Sequence, residues 1–282
     1  MKVIINVDDF GFSQSVNEAV FELVELGSIS STTVMVNMPY WRQIIHLLDY
    51  PDFGIGLHFN LTQGIPISPP SKIPTLINEK GEFYSFSEFR KRSKKNKIDR
   101  REILIELNAQ FDLLRSVVGE RLTHIDSHQA IHKYSPVSQA VYLFGSSNSQ
   151  KSIGLRSPRH YFIHKSKLVK PTIFNLNLFG IKRFLTETYY NSYQKKFSKH
   201  FVMPDGELLD IGLKKTTTFR KLNNLVIDKN IIIEIPCHPA TTIADLPPSK
   251  LTDKRVEEYQ ILKSKDFIET LKNFQLTNFR KI

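Results

Sequence analysis

Cysteine is nearly absent from this sequence, in which Cys237 is the one example among 282 residues. A single thiol cannot form an internal disulfide, and low cysteine usage is typical of proteins kept in reducing compartments. The sequence also lacks any run that approaches 18 consecutive apolar residues, and no basic region followed by an apolar one stands at its amino terminus. We therefore expect a cytoplasmic protein with no membrane partner.

Acidic residues are scarce relative to basic ones, since 28 Asp and Glu oppose 39 Lys and Arg and the formal net charge is +11. Most of the excess lies between Arg90 and Arg101, where eight basic residues accompany Asp99 alone. A single basic cluster flanked by Ser and Asn is more typical of a solvated loop than of a phosphate-binding surface. We therefore expect no nucleic-acid partner.

The sequence does contain a regular alternation of apolar runs and amphipathic stretches. Hydrophobic residues make up 40% of the chain, which is enough for a substantial core. The patterns predict strands near 3–7, 31–36, 54–59, 122–126, 154–156 and 231–235, and helices near 15–26, 41–48, 103–118 and 266–274. Such alternation indicates parallel βα units. We expect one α/β domain over residues 1–282, an irregular (β/α) TIM-like barrel of seven or eight units, with a doubly wound sheet as the alternative.

Two stretches interrupt this alternation. Residues 62–98 begin with four prolines and end in the basic cluster, so we expect a long excursion over one rim of the fold, which either caps a cleft or moves freely. Residues 160–225 are aromatic and basic but show no clean periodicity, and they support no assignment of elements.

Titratable residues that do not suit a core stand at four of the predicted strand ends. They are Asp8 and Asp9, then His58, then His124, Asp126, His128 and His132, and finally Glu234 and His238. Each alone has an ordinary explanation, such as a turn or a satisfied buried group, although a carboxylate within an apolar strand is costly without a partner. His128 and His132 are four residues apart and would share one face of a helical turn.

A divalent cation accounts for the set better than separate explanations do. Both candidate architectures place the carboxyl ends of parallel strands at one edge, where ligands bind. Two imidazoles and one carboxylate would form a mixed nitrogen and oxygen site with open positions. The cation would lower the pKa of bound water, a second Asp would accept its proton, and an opposed His would protonate a leaving amine.

Four motifs carry a resemblance to a known family. They are Val-Asp-Asp-Phe-Gly at 7–11, Gly-Leu-His-Phe-Asn-Leu-Thr at 56–62, Thr-His-Ile-Asp-Ser-His-Gln at 123–129, and Glu-Ile-Pro-Cys-His-Pro at 234–239. In this order the motifs resemble those of the YdjC-like carbohydrate deacetylases, which include the chitooligosaccharide deacetylases. The resemblance implies a TIM-like barrel that removes the N-acetyl group from an acetylated amino sugar and releases acetate.

The resemblance also implies roles for individual residues. It identifies Asp9, His58 and His128 as metal ligands, Asp8 as the general base, and His238 as the general acid or a hydrogen-bond donor on the acetate side. Four further residues are expected to contact substrate or support the site: Arg156, Glu234, Asp126 and His132. Family members are usually assigned Mg²⁺, while two imidazole ligands also suit Zn²⁺ or another transition metal. The expected partner is a small acetylated sugar, and a homodimer is left open.

One departure from the family pattern keeps alternatives open. Ala130 stands where the family commonly has the middle His of a His-x-His-x-His run. A non-catalytic carbohydrate-binding relative would tolerate that change. A metal-dependent phosphoesterase acting on a sugar phosphate is a second alternative, favoured by the positive net charge but opposed by the small number of carboxylates.

Overall fold

The computed structural model describes residues 1–147, 153–164, 166–170, 178–208, 222, 224–226, 230–249 and 251–282, with the backbone alone for 178–184. The single-domain expectation and the open question about 160–225 each include residues outside these ranges. Within the described ranges, no helix is both long and apolar enough to cross a bilayer.

The first part of the chain alternates strands and helices closely as its patterns predict. Its elements are β1 (Lys2–Phe10), α1 (Gln14–Glu25), β2 (Ser31–Val34), a 3-10 helix (Trp41–Leu47), β3 (Gly54–Phe59), α2 (Phe86–Lys94), α3 (Arg100–Val118) and β4 (Leu122–Ser127). The Ser13 hydroxyl caps α1 by accepting a hydrogen bond from the backbone N–H of Val16. The four strands are buried along nearly their whole length because helices cover the sheet.

The later part of the chain has shorter and less regular strands. After a 3-10 turn (His128–Lys133) and α4 (Val137–Ser147) come β5 (Gly154–Leu155), β6 (His160–His164), β7 (Lys167–Val169), α5 (Leu178–Phe197), β8 (Gly206–Leu208), β9 (Ile232–Cys237), α6 (Thr252–Leu262), α7 (Lys265–Leu271) and β10 (Gln275–Leu276). Several of these elements fall within 160–225, where the sequence shows no usable periodicity. Short 3-10 turns also occupy Pro70–Lys72 and Gly119–Arg121.

The strands form a predominantly parallel sheet in the order β5-β4-β3-β2-β1-β9-β8-β6-β7, with β10 beside β1. Only the β6–β7 pair is antiparallel among the described strand pairs. The α/β class is therefore confirmed. The end strands β5 and β7 do not pair with each other in the described residues, so a closed barrel is not confirmed, although Gly154 of β5 forms an isolated bridge with Val202.

Two local expectations were wrong. The turn at 128–133 is not a continuous helical turn, because Gln129 and Ala130 adopt left-handed φ angles of 55° and 53°. His128 and His132 consequently do not share a face. The basic cluster is not simply a loop either, because its first residues lie on α2, which the Ser85 hydroxyl caps.

The excursion at 62–98 is anchored to the body of the fold. Its apolar side chains Ile73, Leu76 and Phe83 are buried in the main core. The buried carboxylate of Glu106 on α3 accepts hydrogen bonds from the backbone N–H groups of Ile67 and Ser68, at 2.9 and 2.8 Å. These contacts hold the segment against one side of the sheet edge where the polar residues converge.

Candidate metal centre

Three residues distant in sequence converge at the carboxyl edge of the sheet. Asp9 ends β1, His58 lies in β3, and His128 follows β4. Asp9 Oδ1 lies 3.1 Å from His58 Nε2 and 2.9 Å from His128 Nδ1. Asp9 has a φ of 67°, an unfavourable value for a residue with a side chain, and such strain is commonly retained where function requires it.

Asp126 orients the His58 ring. Its Oδ1 lies 2.6 Å from His58 Nδ1, while Thr33 Oγ1 donates to its Oδ2 at 3.0 Å. The opposite ring nitrogen is thereby directed at Asp9. A carboxylate behind a histidine is the usual arrangement around a metal-ligating imidazole, because it fixes the ring and increases its basicity.

The electrostatics of this group stabilise positive charge. Burial disfavours protonation of His58, but the carboxylates of Asp126 and Asp9 outweigh that effect and raise the pKa of His58 to about 10. For Asp9, burial opposes ionisation, and Arg255 and His128 still hold the pKa of its carboxyl well below the usual range. A site that stabilises a protonated imidazole between carboxylates in this way also suits a metal cation.

The donor set fits a divalent metal. One carboxylate oxygen and two imidazole nitrogens, all within 4.8 Å of one another, leave further positions for water or substrate. A second group of described residues, Asp8 with His58 and Asp126, has the same compactness. Its two carboxylates are already paired with Arg156, so the group around Asp9 is the better candidate.

Arg156 is the main buried cation behind the site. It is 4% exposed, and its two terminal nitrogens lie 2.7 and 2.6 Å from the two oxygens of Asp8. It also contacts Asp126 at 2.7 Å and Glu234 at 2.8 Å. Burial disfavours its charge, but Asp126, Asp8 and Glu234 together raise the pKa of Arg156. Arg156 thus lines the cavity and pairs with three buried carboxylates.

Glu234 pairs with Arg156 but is not fully satisfied. Its burial raises the pKa of its carboxyl to about 8 even though Arg156 acts in the opposite direction. Its Oε2 is buried with no hydrogen-bond partner among the described residues. Glu234 does not line the cavity, and it supports Arg156 from within β9.

Asp8 and His238 face each other beside the candidate metal group. His238 Nε2 lies 3.6 Å from Asp8 Oδ2, and the backbone N–H of His238 donates to Glu258 at 2.5 Å. Burial lowers the pKa of His238 more than Asp8 and Asp9 raise it, so the ring is neutral near pH 7. Burial opposes ionisation of Asp8, but Arg156 outweighs it and lowers the pKa of Asp8.

Two of the predicted strand-end histidines lie away from the cavity wall. His132 is fully buried, and its Nδ1 lies 2.6 Å from Ser127 Oγ. His124 is also fully buried and stacks on Phe279, with ring centroids 3.9 Å apart. Burial lowers the pKa of both rings, so both are neutral core groups. His132 therefore supports the 128–133 turn instead of reaching a ligand.

A cavity of about 470 Å³ opens over these residues. Its lining includes Asp8, Asp9, His58, His128, Arg156 and His238. Gln63 from the excursion also lines it, as do five residues before and at the start of α6: Leu246, Pro247, Ser249, Leu251 and Thr252. Ala130 also lines it, where a longer side chain would take up space. The structure thus places most of the sequence-predicted site residues on the wall of this cavity.

Three charged lining residues, Lys133, Glu207 and Arg255, were missed by the sequence reasoning. A terminal nitrogen of Arg255 on α6 makes a short contact with Asp9 Oδ2, and Lys133 Nζ lies 2.8 Å from Glu207 Oε2. Arg255 lies 246 positions from its partner, in a helix with no distinctive pattern. Lys133 directly follows the last His of the third cluster, which is the one signal that could have indicated it.

Comparison with known proteins finds similar proteins over most or part of the chain. A family model described as YdjC-like protein matches residues 2–273. A carbohydrate deacetylase of Thermoanaerobacter pseudethanolicus is 30% identical over 98% of this chain and 97% of that protein. A chitooligosaccharide deacetylase of Serratia marcescens is 37% identical over 50% of this chain and 54% of that protein.

A solved structure has the same fold over nearly the whole chain. It is a crystal structure of an Enterococcus faecalis V583 protein that carries the provisional name of a cellobiose-phosphate cleavage protein. It superposes with a TM-score of 0.74, at 24% sequence identity, and covers 99% of this chain and 98% of that one. At this identity the likeness establishes the fold alone.

Proposed function

The chain belongs to the YdjC-like protein family, and from that membership and the geometry of its cavity we propose that it is a metal-dependent hydrolase that removes the N-acetyl group from an acetylated amino sugar or chitooligosaccharide. The names of its relatives, carbohydrate deacetylase and chitooligosaccharide deacetylase, support this reaction. The products are acetate and the free amino sugar.

One observation carries the proposal. The imidazole nitrogens of His58 and His128 both point at a single oxygen of Asp9, at 3.1 and 2.9 Å, on the wall of a cavity that also contains Asp8 and His238. In this proposal Asp9, His58 and His128 hold a divalent cation. When bound there, such an ion supplies Lewis-acid chemistry, lowering the pKa of a water molecule and polarising the acetyl carbonyl.

Asp8 and His238 are proposed to move the protons. Asp8, ionised because Arg156 lowers its pKa, accepts the proton that the attacking water loses. The neutral His238 ring, whose Nε2 lies 3.6 Å from Asp8 Oδ2, is the proposed next acceptor of that proton. His238 then protonates the nitrogen of the leaving amine as the carbon–nitrogen bond breaks. One proton leaves water and one reaches the amine, so the transfer balances.

The donor set also bears on which metal is used. Mg²⁺ prefers oxygen ligands in octahedral geometry, whereas imidazole suits zinc and the neighbouring transition metals. Two of the three proposed ligands are imidazoles. We therefore propose Zn²⁺ or another transition metal ahead of the Mg²⁺ usually assigned in the family.

The cavity does not support the phosphoesterase alternative. An anionic substrate favours cations whose charge is not already neutralised, yet each lysine or arginine among the described lining residues forms an ion pair with a carboxylate. Lys133 contacts Glu207, Arg156 contacts Asp8, and Arg255 contacts Asp9. The positive net charge of the chain therefore lies elsewhere, largely on the exposed face of α2 and the residues after it.

A second proposal concerns closure of the sheet. We propose that the sheet is an irregular TIM-like barrel in which the Gly154–Val202 bridge joins β5 to the segment before β8. An experimental structure in which β5 and β8 remain unconnected would contradict it.

The test combines metal analysis with an assay of acetate release from N-acetylglucosamine oligomers. We expect Asp9→Asn and His58→Ala to lose the bound metal and to reduce acetate release by about 10²–10³-fold or more, since each removes electrostatic stabilisation of the transition state. His46→Ala is the matched control, because His46 is an exposed histidine outside the cavity. Full activity in either site variant would exclude this centre from the reaction.

A further inference from the structure

Lys133 and Glu207 form a polar wall of the cavity that the proposed reaction does not use. Lys133 ends the 128–133 turn and Glu207 lies in β8. They are 5% and 3% exposed, and Lys133 Nζ lies 2.8 Å from Glu207 Oε2. Both line the same cavity as Asp9 and His128.

The pair keeps hydrogen-bonding capacity on the cavity side. Among the described residues, Glu207 Oε1 accepts no hydrogen bond, and its ion pair with Arg156 Nε spans 3.7 Å, too long for one. An ammonium group has three N–H donors, of which Glu207 and His160 Nε2, at 3.3 Å, account for two. Within the described part of the chain, the wall therefore presents one free acceptor, Glu207 Oε1, beside one free N–H donor of Lys133.

The surrounding residues hold Lys133 in place. The face of Tyr190 lies 5.9 Å from Lys133 Nζ, and the Tyr189 hydroxyl donates to the Lys133 carbonyl at 3.3 Å. Lys133 also shares its short turn with His128, five residues earlier. One short backbone turn therefore carries both Lys133 of this wall and His128 of the candidate metal centre, which sets the distance between a ligand at the wall and that centre.

We propose that Lys133 and Glu207 form a saccharide subsite that binds ring hydroxyl groups and selects sugars over other acetylated compounds. A hydroxyl both donates and accepts, so adjacent hydroxyls on a sugar match a carboxylate beside an ammonium. A ligand without them leaves the third N–H donor of Lys133 and the Glu207 Oε1 acceptor desolvated and without partners, which is a strong basis for rejecting an analogue. The inference rests on the proposed function for the identity of the sugar and for where its acetyl group lies.

The first measurement is binding without catalysis. Metal-free protein is titrated with N,N′-diacetylchitobiose by calorimetry, comparing wild type with Glu207→Gln and Lys133→Met. Because hydrogen bonds to charged groups are strong, we expect about tenfold weaker binding or more in both variants. Lys263→Met is the matched control, since Lys263 pairs with Glu22 at 2.9 Å outside the cavity. Unchanged binding in both variants, or no binding by wild type, overturns the subsite.

The second measurement separates ring recognition from a structural role. For metal-loaded protein we expect Glu207→Gln to raise the KM for the disaccharide about tenfold with little change in kcat. Hydrolysis of 4-nitrophenyl acetate, which has an acetyl group but no sugar ring, should stay within about twofold. An equal loss on both substrates shows a structural role and overturns the proposal. Glu207→Gln is nearly isosteric, so it decides the matter even if Lys133→Met does not fold.

The two proposals fail differently. If the protein binds the disaccharide, loses that binding on Glu207→Gln, and releases no acetate, the subsite stands and the deacetylase proposal falls. If acetate is released from the disaccharide and from small acetyl compounds with equal sensitivity to Glu207→Gln, the deacetylase proposal stands and the subsite falls.

Discussion

The first 127 residues and the remainder of the chain differ in the charges that they bring to the cavity, because the first region contributes carboxylates alone whereas the second contributes cations together with the carboxylate of Glu207. Asp8, Asp9 and the supporting Asp126 all come from the first region, on β1 and β4. Among the described residues, the lysine and arginines that line the cavity all come from the second region: Lys133, Arg156 and Arg255. The carboxylates at the sheet edge and the cations that neutralise them therefore belong to different parts of the chain.

This difference shows that neither region makes a stable site alone. Buried carboxylates are costly without partners, and Asp8, Asp9 and Asp126 are each 3% exposed or less. Arg156 pairs with Asp8 and Asp126, and Arg255 pairs with Asp9. The ion pairs thus hold the two regions together while leaving Asp9 Oδ1 directed at His58 and His128.

The sharpest way to break this complementarity is to remove Arg156. Arg156→Met leaves Asp8, Asp126 and Glu234 without their shared cation, so we expect the free energy of unfolding to fall by about 3–5 kcal/mol. Urea denaturation at pH 7 measures it. Arg115→Met, at the exposed pair with Glu120, should cost less than about 1 kcal/mol. Equal, small losses in the two variants would show that Arg156 is not the counter-charge of the site.

A smaller effect is expected when the second cation is removed. Arg255 fixes the Asp9 oxygen that faces away from the two imidazoles, so Arg255→Met should weaken Zn²⁺ binding by about 10–100-fold. Competition with a chelating dye measures the affinity, and Arg255→Lys should recover part of it. Tighter Zn²⁺ binding in Arg255→Met would show that repulsion between the guanidinium and the metal outweighs orientation.

The smallest expected effect concerns Glu258, a carboxyl group of the second region whose charge its neighbours neutralise less fully. Burial raises the pKa of Glu258 to about 8, against the effects of the His238 backbone N–H and Arg255. Between about pH 4.5 and 8 the folded state therefore binds more protons than the unfolded state, and stability falls as pH rises. Relative to wild type, Glu258→Gln should gain stability steadily across that range.

Urea denaturation of both proteins at pH 5 and pH 8.5 tests this sign. Glu258→Gln keeps an acceptor for the His238 N–H, so its difference from wild type isolates the titration. If the free energy of unfolding of Glu258→Gln minus that of wild type stays constant or falls as pH rises, the raised pKa is contradicted.

Much of the fold, and those residues of the site that stand at strand ends, could be predicted because their signals are local. Buried parallel strands are short apolar runs, and charged residues directly after them lie at the carboxyl edge of the sheet. That reasoning placed Asp9, His58 and His128 among the strand-end residues, and the family resemblance identified these three as ligands. The structure brings the three together. The family assignment from the four motifs is confirmed by the match over residues 2–273.

The weaker predictions failed where local patterns are ambiguous. Spacing of four residues suggested one helical face for His128 and His132, but left-handed Gln129 and Ala130 turn the backbone between them. The short strand β8 contains three residues, too few for a periodicity to be recognised. Glu207, on β8, was missed for that reason.

The amino-acid sequence by itself determined the class of fold, the family and the strand ends that carry the candidate ligands, since each depends on residues that are neighbours along the chain. Only the tertiary structure decided which cations neutralise them. Asp8 and Arg156 are 148 positions apart, and Asp9 and Arg255 are 246 apart. No periodicity connects residues at such distances. Their pairing follows from the cost of burying charge in a packed sheet edge, which arises only once the chain has folded.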